Sequence, residues 1–343
     1  MLFLVDHRTN LAAREATKIW VENGIIVQRL ASQEFGGEYR QNGLFYMTIV
    51  WVATVWSFFR NGAEALFRKV FISRDQSILE ILWRMGRDEK HFSCFFGDRL
   101  SQYNHLAKTA AASSRVLDLF YNYEEKILPT LKNDLAGRAT KFWIGRLENR
   151  QAVTNRLKIV IPSLVDAFKK VDESEIRLLS IASGSAIAVI RAMQKCPERK
   201  VKAVLIDIDE AAINEARQEA ERAGLLDRFS FVNGSISVIE EVCKDFQPHI
   251  VEMCGFLDYR TKKQALRLIG RIKNILPEGG ILVTCNINKN REQFFLTWLL
   301  LWPMIYRSCR QLGELLTGGG FEKEKTKLFY EPFEIHGVAV AVK

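Results

Sequence analysis

The sequence predicts an α/β protein whose second half is a mostly parallel sheet and whose first half is all helical. Three observations carry that prediction. Apolar strand-like runs alternate with helical stretches from about residue 176 to 285, a spacing that only crossover connections between parallel strands satisfy. Two further strand-like runs close the chain at Lys325 to Glu331 and His336 to Val342, near enough to pair as an antiparallel hairpin. Residues 1–150 hold few strand signals and long segments with apolar residues at helical spacing.

In chain order, helices are expected over Leu11 to Leu30, Gly43 to Val70, Ile78 to Gly86, Arg115 to Leu131 and Phe142 to Lys170. An apolar strand then runs into Ala182-Ser183-Gly184-Ser185-Ala186, and after a helix a second strand covers Ala203 to Asp209. Glu210 to Ala223 reads as a helix, Phe229 to Val232 as a strand ending at Asn233-Gly234-Ser235, and His249 to Cys254 as a strand entered through Pro248. Lys262 to Ile275 reads as a helix, Pro277-Glu278-Gly279-Gly280 as a turn, and Ile281 to Cys285 as the next strand.

The small-residue turn at 182–186 lets a ligand approach backbone at a helix N-terminus, and Asp207 follows Gly184 by 23 residues at the tip of the next strand. An acid at that distance is where a ribose hydroxyl is bound in nucleotide-type cofactor sites. A dinucleotide fingerprint requires glycines at its first, third and sixth positions, where this chain has Ala182, Gly184 and Ile187. One close approach beside Gly184 suits a cofactor without a pyrophosphate, which favours S-adenosylmethionine over NAD.

These stretches resemble the class I S-adenosylmethionine-dependent methyltransferases over Ile176 to Lys343. The carriers are Leu-Ser-Ile-Ala-Ser-Gly-Ser-Ala at 179–186, Leu-Ile-Asp-Ile-Asp at 205–209, Asn-Gly-Ser-Ile at 233–236, Val-Glu-Met-Cys-Gly-Phe-Leu-Asp-Tyr at 251–259 and Leu-Pro-Glu-Gly-Gly-Ile-Leu-Val at 276–283. The resemblance implies a seven-stranded Rossmann-like sheet with an antiparallel last strand. It divides the chain into a helical accessory, substrate-capping domain at 1–150 and a methyltransferase domain at 151–343.

Carried over by position, Ala182, Ser183, Gly184 and Ser185 become the floor under the methionine moiety, Asp207 the acceptor for ribose hydroxyls, and Ile208 the packing surface for adenine. Gly234, Ser235 and the Ile236 backbone would border the adenine, and Met253, Cys254 and Gly255 would lie beside the transferred methyl. Two positions depart from the family: Ser180 stands where an acid is usual, and Ser235 where an Asp recognises the adenine amino group. Each residue also has a plain structural reading. Asp207 and Asp209 can cap the following helix, Glu252 can be a paired structural carboxylate, and Cys254 and Cys285 can be small buried thiols. No residue declares itself a general base, and His336, Tyr259 and Asp258 read as structural before catalytic.

The chain carries a net charge of +9, split as 21 Lys/Arg against 16 Asp/Glu in residues 1–150 and 28 against 24 in the remainder. A spread of that kind, without a basic tail or a basic and aromatic face, does not indicate a nucleic-acid partner. The six cysteines, at 94, 196, 243, 254, 285 and 309, show neither metal-ligand spacing nor a disulfide framework, so no metal and a reducing, cytoplasmic setting are expected. Met1 to Val5 is apolar but is interrupted at once by Asp6, His7 and Arg8, unlike a cleavable signal.

Two segments are unusually apolar. Leu44 to Phe59 has no charge and two Trp, and sixteen helical residues span about 24 Å, short of a hydrocarbon core of about 30 Å. It reads first as a buried helix and second as a helix in contact with a membrane surface. Phe294 to Tyr306, interrupted by Pro303, places Trp298 and Trp302 on one helical face and reads either as a lid over the acceptor or as a helix docked on the helical domain or on a second copy of the chain. Tyr123, Trp143 and Arg156 are further contacts the resemblance allows. The reaction expected is methyl transfer to a small, apolar or aromatic acceptor. The rivals are an RNA or protein methyltransferase, transfer of an aminopropyl-type group from the same cofactor, and a binding protein that has kept the fold.

Overall fold

The computed structural model describes residues 17–31, 39–91 and 100–343. Its frame is one nine-stranded sheet: β1 Lys18–Glu22, β2 Ile25–Arg29, β3 Ile176–Ile181, β4 Val201–Asp207, β5 Phe229–Asn233, β6 Ile250–Met253, β7 Ile281–Ile287, β8 Thr326–Tyr330 and β9 His336–Val342. The order across the sheet is β1-β2-β8-β9-β7-β6-β3-β4-β5. Strands β3 to β7 are mutually parallel, and β9 runs antiparallel to both β7 and β8. Seven of these strands match the expected sheet with its antiparallel last strand.

The other two correct the sequence reading. The expected helix over Leu11 to Leu30 is, in its described part, the antiparallel hairpin β1–β2, with β2 parallel to β8. Asn23 and Gly24 lie between the strands with φ of 53° and 81°, the left-handed pair that a two-residue hairpin loop requires. Outward-facing Ile19 and Val21 had supplied the apolar density that reads as helical. Residues 11–16 of that expected helix lie outside the described residues.

The chain forms two compact units whose boundaries differ from a cut at residue 150. One holds the described residues up to Tyr39 with 154–289 and 305–343; the other holds 40–153 with 290–304. In the sheet unit, alternate residues of β3, β4, β6 and β7 share a core with one side of helices Lys262–Ile275 and Cys309–Gly318, including Leu179, Val251, Leu282, Ile269 and Leu316. Thr261 and Ser308 begin these helices as capping boxes with Gln264 and Gln311, which fixes where each leaves its loop.

The helical unit contains Leu44–Phe71, Ile78–Arg87, Gln102–Thr109, Ser114–Tyr121 and Leu135–Trp143, with the start of helix Glu148–Lys170 up to Val153. Segment 290–304 is joined to it through a buried carboxylate: Glu292 accepts the backbone N–H of Glu148 at 3.0 Å and of Asn149 at 2.9 Å, capping that helix. Burial and the neighbouring Glu148 charge push Glu292 up to about 7, and Arg291 pairs with Glu148.

The expectation of a buried helix at Leu44 to Phe59 is overturned. Its inward face carries Tyr46, Val50, Thr54, Ser57, Asn61 and Ala65, whereas Phe45, Trp51, Trp56 and Phe59 face solvent. No helix among the described residues is long and apolar enough to cross a membrane.

Candidate functional site

Strand β3 delivers its carboxyl end into the turn 182–186, where Ala182, Gly184 and Ala186 all have φ near +53°. Three left-handed residues in five curl the backbone tightly, which for the two alanines costs about 1–2 kcal/mol each. The curl is held from β4. Ser183 N–H donates to the Ile206 carbonyl at 3.1 Å, and Gly184 N–H donates to Asp207 Oδ2 at 2.8 Å. Asp207 Oδ1 accepts the Asp209 N–H at 2.9 Å, while Asp209 itself caps helix Glu210–Arg222 through Ala211 N–H. Asp207 is therefore not the helix cap, and an ionised carboxylate with two lone-pair sites occupied keeps others for a ligand.

Two features of this cradle are unsatisfied by the protein alone. The Ser183 hydroxyl is buried without a hydrogen-bond partner. Ile208, at the tip of β4, is 76% exposed, although a lone aliphatic chain gains by being covered. The next tip is tied to it by Gly234 N–H donating to the Asp207 carbonyl at 2.9 Å and by the Asn233 amide donating to the Asp207 and Ile208 carbonyls. Ser235 is exposed and begins the short turn Ile236–Val238, accepting Ser237 N–H, and the Ile236 carbonyl accepts from Arg271. The residues fit a nucleoside with a polar tail: a carboxylate for hydroxyls, an aliphatic face for a ring and backbone that can be approached closely.

Towards the middle of the sheet the chemistry changes from exposed to buried. Ser180 and Glu252 face each other across β3 and β6, and the Ser180 hydroxyl donates to Glu252 Oε2 at 2.5 Å. The acid missing before the glycine turn is thus supplied from the neighbouring strand. Burial raises the Glu252 pKa, with Ser180 opposing. Beyond it, Gly255 has φ +87°, and a side chain there would stand 3.6 Å from the Arg156 guanidinium. Cys285 accepts the Gly255 N–H at 3.1 Å and an Arg156 N–H at 3.7 Å. A hydrogen bond from Cys254 lowers the Cys285 pKa and raises that of Cys254.

Around this pair stands a ring of buried titratable groups. Asp258 accepts the Ile287 N–H at 2.7 Å and is pushed up to about 6 by burial, against the pull of Arg156 and Arg307. Arg307 donates to the Leu257 carbonyl and to Asn286 Oδ1, both at 2.8 Å, locking the loop after β6 to the end of β7. Glu331 accepts the N–H groups of Phe333, Ile335 and His336 and is pushed up to about 7 by burial. His336 is 3% exposed, both ring nitrogens lack a partner, and burial followed by the Arg156 charge holds its pKa well below the usual 6.5.

The structure brings Ala182, Ser183, Gly184, Ser185, Asp207, Ile208 and Gly234 together, with Ser235 and Ile236 on the adjoining turn. Met253 differs, since its side chain is wholly buried in the core and leaves only backbone to the site. Trp298 and Trp302 do not form an open aromatic face. Residues Phe295–Leu299 make one π-helical turn, Leu301 takes φ +53°, and the tryptophans pack inside the helical unit against Phe58 and Phe120. Tyr123 is buried and Trp143 stacks on Phe295 in the same unit. Glu331 and Arg307 escaped sequence reasoning because they come from separate loops, whereas His336, read from the sequence as structural before catalytic, opens β9 beside Glu331.

A groove of about 600 Å³ lies at the opposite, amino ends of β3, β6 and β7, around Arg177, His249 and Pro277 to Gly280. Parallel sheets bind ligands at their carboxyl ends, so the groove is distinct from the cradle. Among the described residues no group of three or more His, Cys, Asp or Glu is placed to hold a metal ion.

Residues 172–336 match a family described as a methyltransferase domain. None of the curated proteins matches the sequence. Among solved structures, the chain is similar to one described as a possible exported protein from Bordetella parapertussis, at 16% identity over 77% of this chain and 95% of that one, with a TM-score of 0.53. A candidate O-methyltransferase from Nostoc punctiforme is 17% identical over 56% of this chain, which spans only 61% of that protein, with a TM-score of 0.41. An O-methyltransferase family 2 protein from Planctomyces limnophilus, solved with apigenin, is 16% identical over 86% of this chain and 96% of its own, again at 0.41. At 16% identity the likeness to the Bordetella protein is one of fold.

Proposed function

We propose that this chain, whose residues 172–336 match a methyltransferase domain family, is a class I S-adenosylmethionine-dependent methyltransferase that transfers the cofactor's methyl group to a small, apolar acceptor. The observation that carries the cofactor assignment is the make-up of the cradle: the Asp207 carboxylate, the exposed Ile208 and the partnerless Ser183 hydroxyl around Gly184. Asp207 would hold the ribose hydroxyls, Ile208 the adenine face, and the 182–185 backbone the methionine end. The cofactor supplies an electrophilic methyl on a sulfonium. The protein's part would be to align the acceptor atom and exclude water.

The walls beside Gly255 support the apolar acceptor. Cys254 and Phe256, both half-buried, offer weakly polar and apolar surface, and Arg156 adds one donor for an acceptor oxygen. The helical unit is assigned the accessory role of selecting the acceptor.

Calorimetric titration with S-adenosylmethionine and S-adenosylhomocysteine, with NAD as control, tests the reading. Binding of both sulfur cofactors, lost in Asp207→Ala, is expected. Absence of binding at millimolar cofactor overturns it. Release of methylthioadenosine in place of S-adenosylhomocysteine during turnover would replace methyl transfer by aminopropyl-type transfer.

A further inference from the structure

Helix Leu44–Phe71 is built inside out. Phe45, Val52, Trp56, Phe59, Leu66 and Val70 follow one another at intervals of seven, four, three, seven and four, so they line a single stripe, and each is 46% to 75% exposed. The stripe has no ionisable side chain along a helix of about 42 Å. With Trp51, Phe67 and Phe71 on its flanks, the exposed aromatic surface is on the order of 700 Å². The largest apolar patch on an ordinary monomer is about 300–600 Å², so this face is built to be covered.

Charge says by what. From Leu44 to Leu79 the chain holds four cations, Arg60, Arg68, Lys69 and Arg74, and two acids, Glu64 and Asp75. Glu64 is already engaged by Arg68 at 2.8 Å and by His91 at 2.9 Å. The cations lie beside the stripe and at its carboxyl end, none of them on it, and Ile72, Ile78 and Leu79 extend the exposed apolar surface there. An uncharged aromatic stripe with tryptophan and a basic flank is the pattern of a helix lying in the headgroup region of a bilayer, where apolar burial and attraction to anionic lipid act together.

We propose that the outer face of helix Leu44–Phe71 docks the protein on an anionic membrane surface, with the helix parallel to the bilayer plane. The helix lies on the membrane and does not cross it, in keeping with its length and composition. The proposal stands apart from methyl transfer, and its test reads no activity.

Flotation of the full-length protein with vesicles of equal parts phosphatidylcholine and phosphatidylglycerol, beside phosphatidylcholine alone, decides it. The mixed vesicles are expected to bind at least tenfold more protein, and added salt to weaken that difference. The double variant Val52→Glu/Phe59→Glu changes only exposed positions and is expected to lose binding at least tenfold with its circular dichroism and melting temperature retained. Lys69→Glu/Arg74→Glu should remove only the preference for the anionic lipid. Absence of wild-type binding to the mixed vesicles overturns the proposal. So does a wild-type dimer in light scattering that Val52→Glu/Phe59→Glu converts to monomer while lipid binding is unaltered, which would give the face to a second copy of the chain.

Discussion

Two ends of the same sheet edge are built by opposite means. At β3 and β4 the functional groups are backbone amides, a half-buried carboxylate and an exposed Ile208, held by strained left-handed residues. At β6, β7 and β9 they are buried side chains, Glu252, Cys285, Asp258, Glu331 and His336, whose proton affinities are set first by burial in most cases. The difference separates two tasks. A cofactor that must enter and leave needs donors and acceptors that water can serve meanwhile. A reacting centre needs groups already fixed, because reorganising them during reaction would raise the barrier.

The largest expected effect tests the open end. Asp207→Ala removes the acceptor of the Gly184 and Asp209 N–H groups together with the ribose contact, so S-adenosylmethionine affinity should fall on the order of 100-fold, as expected for losing charge-assisted hydrogen bonds of about 1.5–3 kcal/mol. Titration calorimetry measures it. Glu331→Gln, in the closed region, should leave that affinity within about threefold. Equal losses in both variants would mean that the two ends act as one unit, contrary to the division drawn above.

The second effect is on pH dependence and belongs to the closed end alone. Glu331 at about 7 and Asp258 at about 6 hold protons that the unfolded chain releases near 4.5 and 3.8. Their neutral burial therefore stabilises the fold fully below those values and is lost as pH rises towards 7. His336 works in the other direction: its depressed pKa means that the folded state resists a proton the unfolded chain accepts below 6.5, so stability is lost as pH falls. In Glu331→Gln the decline of melting temperature between about pH 5 and 8 should be shallower, by a stability on the order of 2–3 kcal/mol. His336→Gln should instead flatten the acid side. Unchanged slopes in both variants would show that burial does not govern these groups.

The open end was the legible one. The spacing from Gly184 to Asp207, the apolar run before the turn and the Asn-Gly-Ser after β5 are local patterns, and each maps onto a contact between adjacent strands. The closed end was illegible for the reason that it is closed. Arg156, Asp258, Cys285 and the Glu331–His336 turn come from four separate segments, and nothing in the local sequence of any of them states which others it will meet. Ser180 shows the limit best. Read in line it is a missing acid, whereas across the ladder it donates to Glu252. The hairpin was legible and was misread: Asn23-Gly24 between β-branched residues is a strong turn signal that outweighs the apolar density of Leu11 to Leu30.

The smallest effects set two serines three residues apart against each other. Ser180→Ala takes the donor from a buried carboxylate, which should destabilise the fold by about 1–3 kcal/mol at neutral pH and change cofactor affinity little. Ser183→Ala removes a buried hydroxyl that has no partner in the protein, so the free fold should be unchanged or up to about 1 kcal/mol more stable. If that hydroxyl awaits the cofactor, its loss should weaken S-adenosylmethionine binding about five- to tenfold, a loss of about 1–1.4 kcal/mol. Melting curves with and without cofactor measure both quantities on the same samples. A variant that gains stability when free and loses it when bound marks a residue kept for its ligand, and the same sign in both states would return Ser183 to the scaffold.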